Sequence, residues 1–461
     1  MKKALATILA LVMAIGLCSI SWATESGLPA AVNGVIKLTG NATTTALQDD
    51  ITYDLNSHTL TYSGTTHEVA EGKTLTFMDS SVTDNNARGG TLVLSGVTGT
   101  TAAINPQKGA TLKVSNIKVT CTGSAFFPQG DAAKVDVTAC DVTAPIYCVG
   151  TNAGSTNNYN VVITLKNSTF VSNTADGDNC AVMINVPGTL NIDNCTITGD
   201  RQAVLVRAGT AVITNSDIKT TGKFTDAATK YHSGAWKSGN EVPAAALTVG
   251  NYQNGPASAY LAEAEVTVTN TKLTAENGVP AIYTDANDTH KGDLTIGGDS
   301  TVVTGKVMKG QKADKAVVAV TGGSYDSDVT SLTTEAVAVT GESEGTYVVG
   351  QSAINAVAKA GNNVRIVKGN VTLTDVPAGV TVIPGEGTVV FVNGKDISGN
   401  QYSDGYTVPQ SSGYYYYPTT DTKTDDTKGS PKTFDAGIAL YVGMALTSAA
   451  GVAFVGKKRE D

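Results

Sequence analysis

Arginine is scarce in this chain. Only Arg88, Arg201, Arg207, Arg365 and Arg459 occur among 461 residues, and the formal net charge is −9. A chain so poor in cation sites does not build a face for a polyanion, so nucleic acid is excluded as a partner. Aromatic residues make up 6% and charged residues 16%, which leaves a turn-rich β composition dominated by Gly, Thr, Val, Asn and Ala. Histidine is limited to His58, His67, His232 and His290, all scattered, and no paired C-x-x-C occurs, so no zinc site is written here. No EF-hand and no GGxGxDxUx repeat is present; Asp285, Asp288 and Asp293, or Asp176 with Asp178, read as plain turns. No metal and no cofactor is expected. Beyond the N-terminal leader, the cysteines are Cys121, Cys140, Cys148, Cys180 and Cys195, an odd number at irregular spacing and therefore no disulfide framework.

What is present is one phrase said many times. Residues 188–207, GTLNIDNCTITGDRQAVLVR, alternate apolar and polar side chains, break at Asn194, resume, turn at Gly199-Asp200, and end in a third apolar run. The phrase recurs as TLKVSNIKV (111–119), KVDVTACDV (134–142), VITLKNSTF (162–170), TAVITNSDI (210–218) and EVTVTNTKL (265–273). Its pivot is Asn116, Ala139, Asn167, Asn194, Asn215 and Asn270, at spacings of 23, 28, 27, 21 and 55, the last being two turns. Periods of this size mark solenoids, and the short strands favour a β-solenoid. Asn tolerates the left-handed backbone that a sharp strand-to-strand bend demands, as Gly does. Stacked turns would place Asn116, Asn167, Asn194, Asn215 and Asn270 above one another in an amide ladder. Cys140 and Cys195 share the next position with Ile117, Ser168, Ser216 and Thr271, an inward slot for small side chains, so they read as buried free thiols.

These features resemble the right-handed parallel β-helix of the pectate-lyase type, over about residues 34–350. The resemblance implies an all-β fold and leaves activity open, because such folds carry lyases, hydrolases, spikes and adhesins. The DLNSHTL phrase (54–60) resembles the opening coil of bacterial surface β-helix proteins, where DLNGHTL is usual, and is expected to be the N-terminal cap. A second short strand in each coil, such as AVMIN (181–185) or AVLVR (203–207), is apolar on both faces, so its direction stays open.

The organisation expected is a secretory signal at 1–23, the β-helix at 24–350, a C-terminal cap or small β-rich domain at 351–400, a flexible spacer at 401–429, and a tail at 430–461. The signal has Lys2-Lys3, an apolar run and Ser21-Trp22-Ala23. The tail has Ser430-Pro431-Lys432-Thr433, then the apolar stretch 436–455 expected as a transmembrane or sorting helix, then Lys457-Lys458-Arg459. It is similar to the sortase sorting signal of Gram-positive surface proteins: SPKT stands where that family has LPxT, and Phe434 replaces the Gly that follows. The resemblance implies cleavage after Thr433, with sortase and peptidoglycan as partners and the membrane as a transient one through 436–455. The chain would then lie secreted, at the cell wall or on a membrane anchor.

Loops at 172–179, 199–202, 220–243 and 275–280 all lead into the second short strand and should line one flank. Trp236, Tyr231 and His232, with Asp176, Asp178 and Arg201, are the candidate ligand contacts: ring faces for sugars, and polar groups for hydroxyls. Asn179 and Gln202 lie alongside. No catalytic motif appears, neither an Asp-Asp pair followed by His-Gly nor an Arg-x-Lys on a coil. The reading is adhesion to a host surface ligand, or polysaccharide binding, at the cell envelope. Two alternatives are a polysaccharide lyase or glycoside hydrolase acting on extracellular glycan, and a structural stalk with no ligand.

Overall fold

The computed structural model describes residues 27–84, 87–151, 159–173, 179–222, 244–250, 263–286, 290–310, 315–341 and 345–410. The signal segment, the spacer beyond 410 and the whole tail, with Ser430, Pro431, Lys432, Thr433 and the apolar stretch 436–455, lie outside them. No helix among the described residues is long and apolar enough to cross a membrane. The chain divides into two compact units, Met1–Val266 with Thr274–Asp293 and Met308–Val317, and Thr267–Leu273 with Leu294–Val307 and Val318–Asp461.

In the first unit most repeats place one strand in each of two long parallel sheets and a third strand on a further side, where the strands form two separate sheets joined, among the described residues, only by the isolated bridges of Val149. The repeat at 188–207 supplies Gly188–Asp193, Thr196–Gly199 and Gln202–Val206. Each strand pairs in parallel with its counterparts in the repeats before and after. This is the arrangement of a β-helix. The register runs Leu112↔Val135↔Ile163↔Leu190↔Ala211. Those steps match the spacing of the pivots, so each pivot marks the same point of its coil. The short strand that the sequence leaves undirected is parallel within its own sheet: Val182↔Val204↔Leu247↔Ile282.

Inward rows form the core. Leu112, Val135, Ile163 and Leu190 in the first sheet, and Val182, Val204 and Leu247 in the third, are fully buried. Each such side chain contributes about 1.5–3 kcal/mol by leaving water. Tyr53 and Phe77, paired in register, stack at 5.4 Å between ring centroids.

The corner between the first two sheets is built as the repeat predicts. Asn116, Ala139, Asn167, Asn194, Asn215 and Asn270 all have φ between 49° and 58°. Their amide groups donate across the corner to the adjoining coil, Asn167 to Asp193 and Asn194 to Thr214, both at 3.1 Å. The side-chain ladder is shorter than expected. Asn194 Nδ2 donates to Asn167 Oδ1 at 2.9 Å, but Asn215 Nδ2 turns to Asp193 Oδ1 and Asn116 Nδ2 to the carbonyls of Asp84 and Ala87. The slot beside the pivot forms a second ladder. Ser168 Oγ accepts from the Cys140 amide and donates to the Lys166 carbonyl; Ser216 Oγ does the same for Cys195 and Thr214. A small donor suits that slot, which explains why Cys, Ser and Thr alternate there. Burial pushes the Cys140 thiol up to about 12 and Cys195 to about 11.

The DLNSHTL coil is internal rather than terminal, since strands Val35–Lys37 and Ala42–Thr44 stack outside it. Two carboxylates hold this end. Asp54 accepts from the Asn56 and Ser80 amides, and Asp79 from those of Ser57, Gly90 and Ser81 and from the Ser81 hydroxyl. Burial pushes the Asp79 carboxyl up, but these hydrogen bonds outweigh it and hold the group below its ordinary value.

In the second unit the parallel pattern continues through Val318–Val320 and Gly323–Tyr325. It then closes with antiparallel strands Tyr347–Val349, Ala336–Thr340 and Asn363–Lys368. Helix Gln351–Lys359 buries Ala353, Ile354, Val357 and Ala358 in a cluster with Val337, Ile366 and Val390. An antiparallel closure ends the sheet's free edge, where another strand would otherwise add.

Two outcomes follow from the N-terminal coils. Ser57 sits at φ 68°, so Ser57→Gly should raise the unfolding free energy by about 1 kcal/mol, read by denaturant titration. Asp79→Asn should cost about 2 kcal/mol at pH 7, because an amide cannot accept from all these donors. The Asp79 contribution is present above the unfolded carboxyl value of about 4 and is lost as the pH falls through the depressed folded value. The gap between the two proteins should therefore close in acid titrations.

Candidate functional site

The first two sheets alternate buried and open residues, as in Lys134–Thr138 or Thr169–Ser172, so their outer faces meet water. The third sheet does not. Cys180–Ile184, Gln202–Val206 and Ala245–Val249 are buried at every position. Its outer face carries Met183, Leu205, Thr248 and Tyr283 in one row. The next outward position along each strand holds Asn185, Arg207, Gly250 and Asp285. The sequence signals this row in the last letters of CAVMIN, QAVLVR, AALTVG and AIYTD, a polar or Gly residue closing each apolar run. Asn185, Arg207 and Asp285 are all fully buried.

Complete burial of a guanidinium and a carboxylate on one face is costly unless each is hydrogen-bonded. Asp285 accepts from the Ala286 amide at 2.9 Å and from the Tyr283 hydroxyl at 3.0 Å. Asn185 Oδ1 accepts from Thr151 Oγ1 at 2.9 Å, and that hydroxyl accepts from the Asn185 amide. Gly250 leaves the row open between Arg207 and Asp285. It lies at φ 127°, and a Cβ there would stand 2.0 Å from the Asp285 carbonyl oxygen.

The second and third sheets are joined over residues 173–179, 200–201, 221–244 and 276–281, and the strand ends that anchor these connections lie on one edge of successive coils. Asp176, Asp178, Tyr231, His232 and Trp236 belong to them and lie outside the described residues. Arg201 is described and is only 3% exposed. Its amide donates to Asn179 Oδ1 at 3.2 Å and its carbonyl accepts from Thr220 Oγ1 at 2.8 Å. Asn179 is fully buried: its Oδ1 takes the amides of Asp200 and Arg201 and the Ser172 hydroxyl, and its Nδ2 donates to the Pro145 carbonyl. Asn179 is thus a bracket that ties three coils at this edge, not a group offered to a ligand. Gln202 is equally buried.

The aspartates considered for calcium are occupied otherwise. Asp293 accepts from the Val317 amide at 2.8 Å, and Asp288 lies outside the described residues. Among the described residues no three His, Cys, Asp or Glu side chains are placed to share a metal ion. Compared with known protein families, with curated proteins and with solved structures, the chain matches none of them.

The polar row depends on the glycine that spaces it. Gly250→Ala should lower the unfolding free energy by about 3 kcal/mol through backbone strain and the clash with Asp285, read as a drop in the thermal midpoint.

Proposed function

We propose that this is a surface-displayed, right-handed parallel β-helix that binds polysaccharide, or an adhesion ligand of a host surface, at the cell envelope of a Gram-positive bacterium. The observation that carries the reading is where the longest connection, 221–244, is anchored: it leaves Asp217–Thr220 in the second sheet and returns at Ala245–Val249 in the third, on a stack whose register is fixed coil by coil. The 221–244 connection holds Trp236, Tyr231 and His232, the side chains that would stack on sugar rings and bond their hydroxyls. Its neighbours hold Asp176, Asp178 and Arg201. The signal at 1–23 would send the chain out. Ser430, Pro431, Lys432 and Thr433 would be read by a sortase, with 436–455 held in the membrane until Thr433 is joined to peptidoglycan. The pectate-lyase likeness belongs to the same reading and concerns the winding of the coil. The lyase or hydrolase alternative draws no support from the one guanidinium and carboxylate aligned on the third sheet, because both are sealed from solvent.

The test uses protein released from the wall by muramidase. Its mass should place the C-terminus at Thr433, and Trp236→Ala should weaken binding to the best-bound glycan of an array by tenfold or more, about 1.4 kcal/mol. An intact terminus at Asp461 in the membrane fraction would remove wall attachment from the reading. Unchanged glycan binding by the variant would remove the loop from it.

A further inference from the structure

A second surface on the first unit has the chemistry of a recognition site, and it lies at the pivot corner rather than beside the third sheet. Here an open groove of about 220 Å³ is lined by Arg88, Asn167, Ser168, Thr169, Asn194 and Thr196. Its floor is the one rung of the side-chain ladder that forms. Asn194 Nδ2 donates to Asn167 Oδ1, and among the described residues the Asn167 side-chain N–H groups and the Asn194 side-chain oxygen have no other partner. The hydroxyls of Thr169 and Thr196, in register on neighbouring strands, take no part in any hydrogen bond among the described residues. Two hydroxyls, an amide donor and an amide acceptor therefore open on one groove.

Arg88 closes one end. The pivot position at 139 holds alanine, which has no amide to continue the ladder, and the Arg88 guanidinium occupies that gap. It donates to the Asn167 carbonyl at 2.7 Å and to Asp141 Oδ1 at 3.0 Å. A guanidinium held this way is fixed in orientation and largely neutralised by its carboxylate partner.

The geometry points to a subsite for one unit of a neutral, extended glycan. The size agrees, since the groove is smaller than the roughly 300–1,000 Å³ of drug-sized pockets and takes one small unit at a time. The polarity agrees, because planar amide groups and hydroxyls that donate and accept in alternation suit sugar hydroxyls, which do the same. The spacing agrees too. The Asn–Thr pair stands on two adjacent coils, Asn167 with Thr169 and Asn194 with Thr196, one strand spacing of about 4.8 Å apart and close to the length of a pyranose ring, so a single sugar would meet both pairs. Charge selects against acidic glycans. Arg88 and Lys166 face Asp141, Asp193 and Asp217 around this corner. Hydrogen bonds from Thr214 and Asn215 hold the Asp193 carboxyl below its ordinary value, so it stays an anion. This subsite goes beyond the loop-borne binding proposed above and does not rest on it.

The experiment titrates the full chain with chitohexaose, cellohexaose and polygalacturonate by microcalorimetry. The wild type should bind at least one neutral hexasaccharide with a Kd near millimolar. Thr196→Tyr should weaken that binding tenfold or more. Thr196 is an exposed strand residue whose hydroxyl makes no bond, and tyrosine is at home in strands, so the variant should keep the thermal midpoint of the wild type. Thr169→Val, which removes one open hydroxyl without filling space, should weaken binding about threefold and covers the case of an unfolded tyrosine variant. The two threonine variants should weaken binding by the same factors in a Trp236→Ala background as in the wild type, which separates this subsite from the loop. Three outcomes overturn the inference: no neutral hexasaccharide bound, binding indifferent to both threonine variants, or polygalacturonate bound more tightly than the neutral sugars.

Discussion

Everything in the first unit depends on a backbone bend that L-residues resist. Between the first and second sheets the chain must turn sharply once per coil, and it does so with a single residue in the left-handed region. Such a residue costs about 1–2 kcal/mol unless it is Gly or a short amide. The bend is stabilised by the amide that each pivot sends to the neighbouring coil and, after Asn167 and Asn215, by the serine hydroxyl that follows, which bridges two coils. Because the bend recurs at one point of every coil, it sets the register of both sheets. Loop lengths elsewhere can then vary without shifting a side chain to the wrong face. The coil from Asn167 to Asn194 is longer than that from Asn194 to Asn215, yet the inward rows stay aligned.

The three sheets answer to different surroundings. Two present alternating faces and would be recognisable in any half-buried β structure. The strands Cys180–Ile184, Gln202–Val206 and Ala245–Val249 of the third are buried on both faces, so they lose the alternation that gives a sheet its direction in sequence. A face shut off from water can hold a polar group only if partners are supplied on the spot, and the structure supplies them locally: Tyr283 and the Ala286 amide to Asp285, Thr151 to Asn185. Gly250 belongs to the same solution, since a side chain there would collide with the Asp285 backbone.

Much of this was legible and the reason is local. Pivot conformation is dictated by residue type, so the Asn repeat predicted the positive φ at Asn116, Asn167, Asn194, Asn215 and Asn270, and even at Ala139, where spacing alone marked it. The small slot of Cys140 and Cys195 was legible for the same reason. What the sequence hid are contacts between residues far apart in the chain. Arg88 reaches Asp141 and Asn167 across many intervening residues, and no period announces that. The amide ladder was overestimated because alignment of residue type ignores competition: Asp193 draws Asn215 away, and the Asp84 and Ala87 carbonyls draw Asn116. Likewise DLNSHTL carried the expectation of a cap, yet its Asp and left-handed Ser57 serve an internal coil, tied forward to Asp79.

The irregularity at position 139 connects the architecture to what the corner can do. A ladder complete from Asn116 to Asn215 would spend its amides on one another and present a closed, self-satisfied edge. Alanine breaks it. The gap admits Arg88, whose guanidinium takes the Asn167 carbonyl and pins the segment before Gly90 across the corner. Beyond Arg88 the rung of Asn167 with Asn194 ends in donor and acceptor atoms that, like the hydroxyls of Thr169 and Thr196 beside them, have no partner among the described residues. Ala139 leaves the Asn167 donors open, and Asp193, by drawing Asn215 away, leaves the Asn194 side-chain oxygen open. The corner is braced where the ladder fails, and it is available to a polar ligand where the ladder stops.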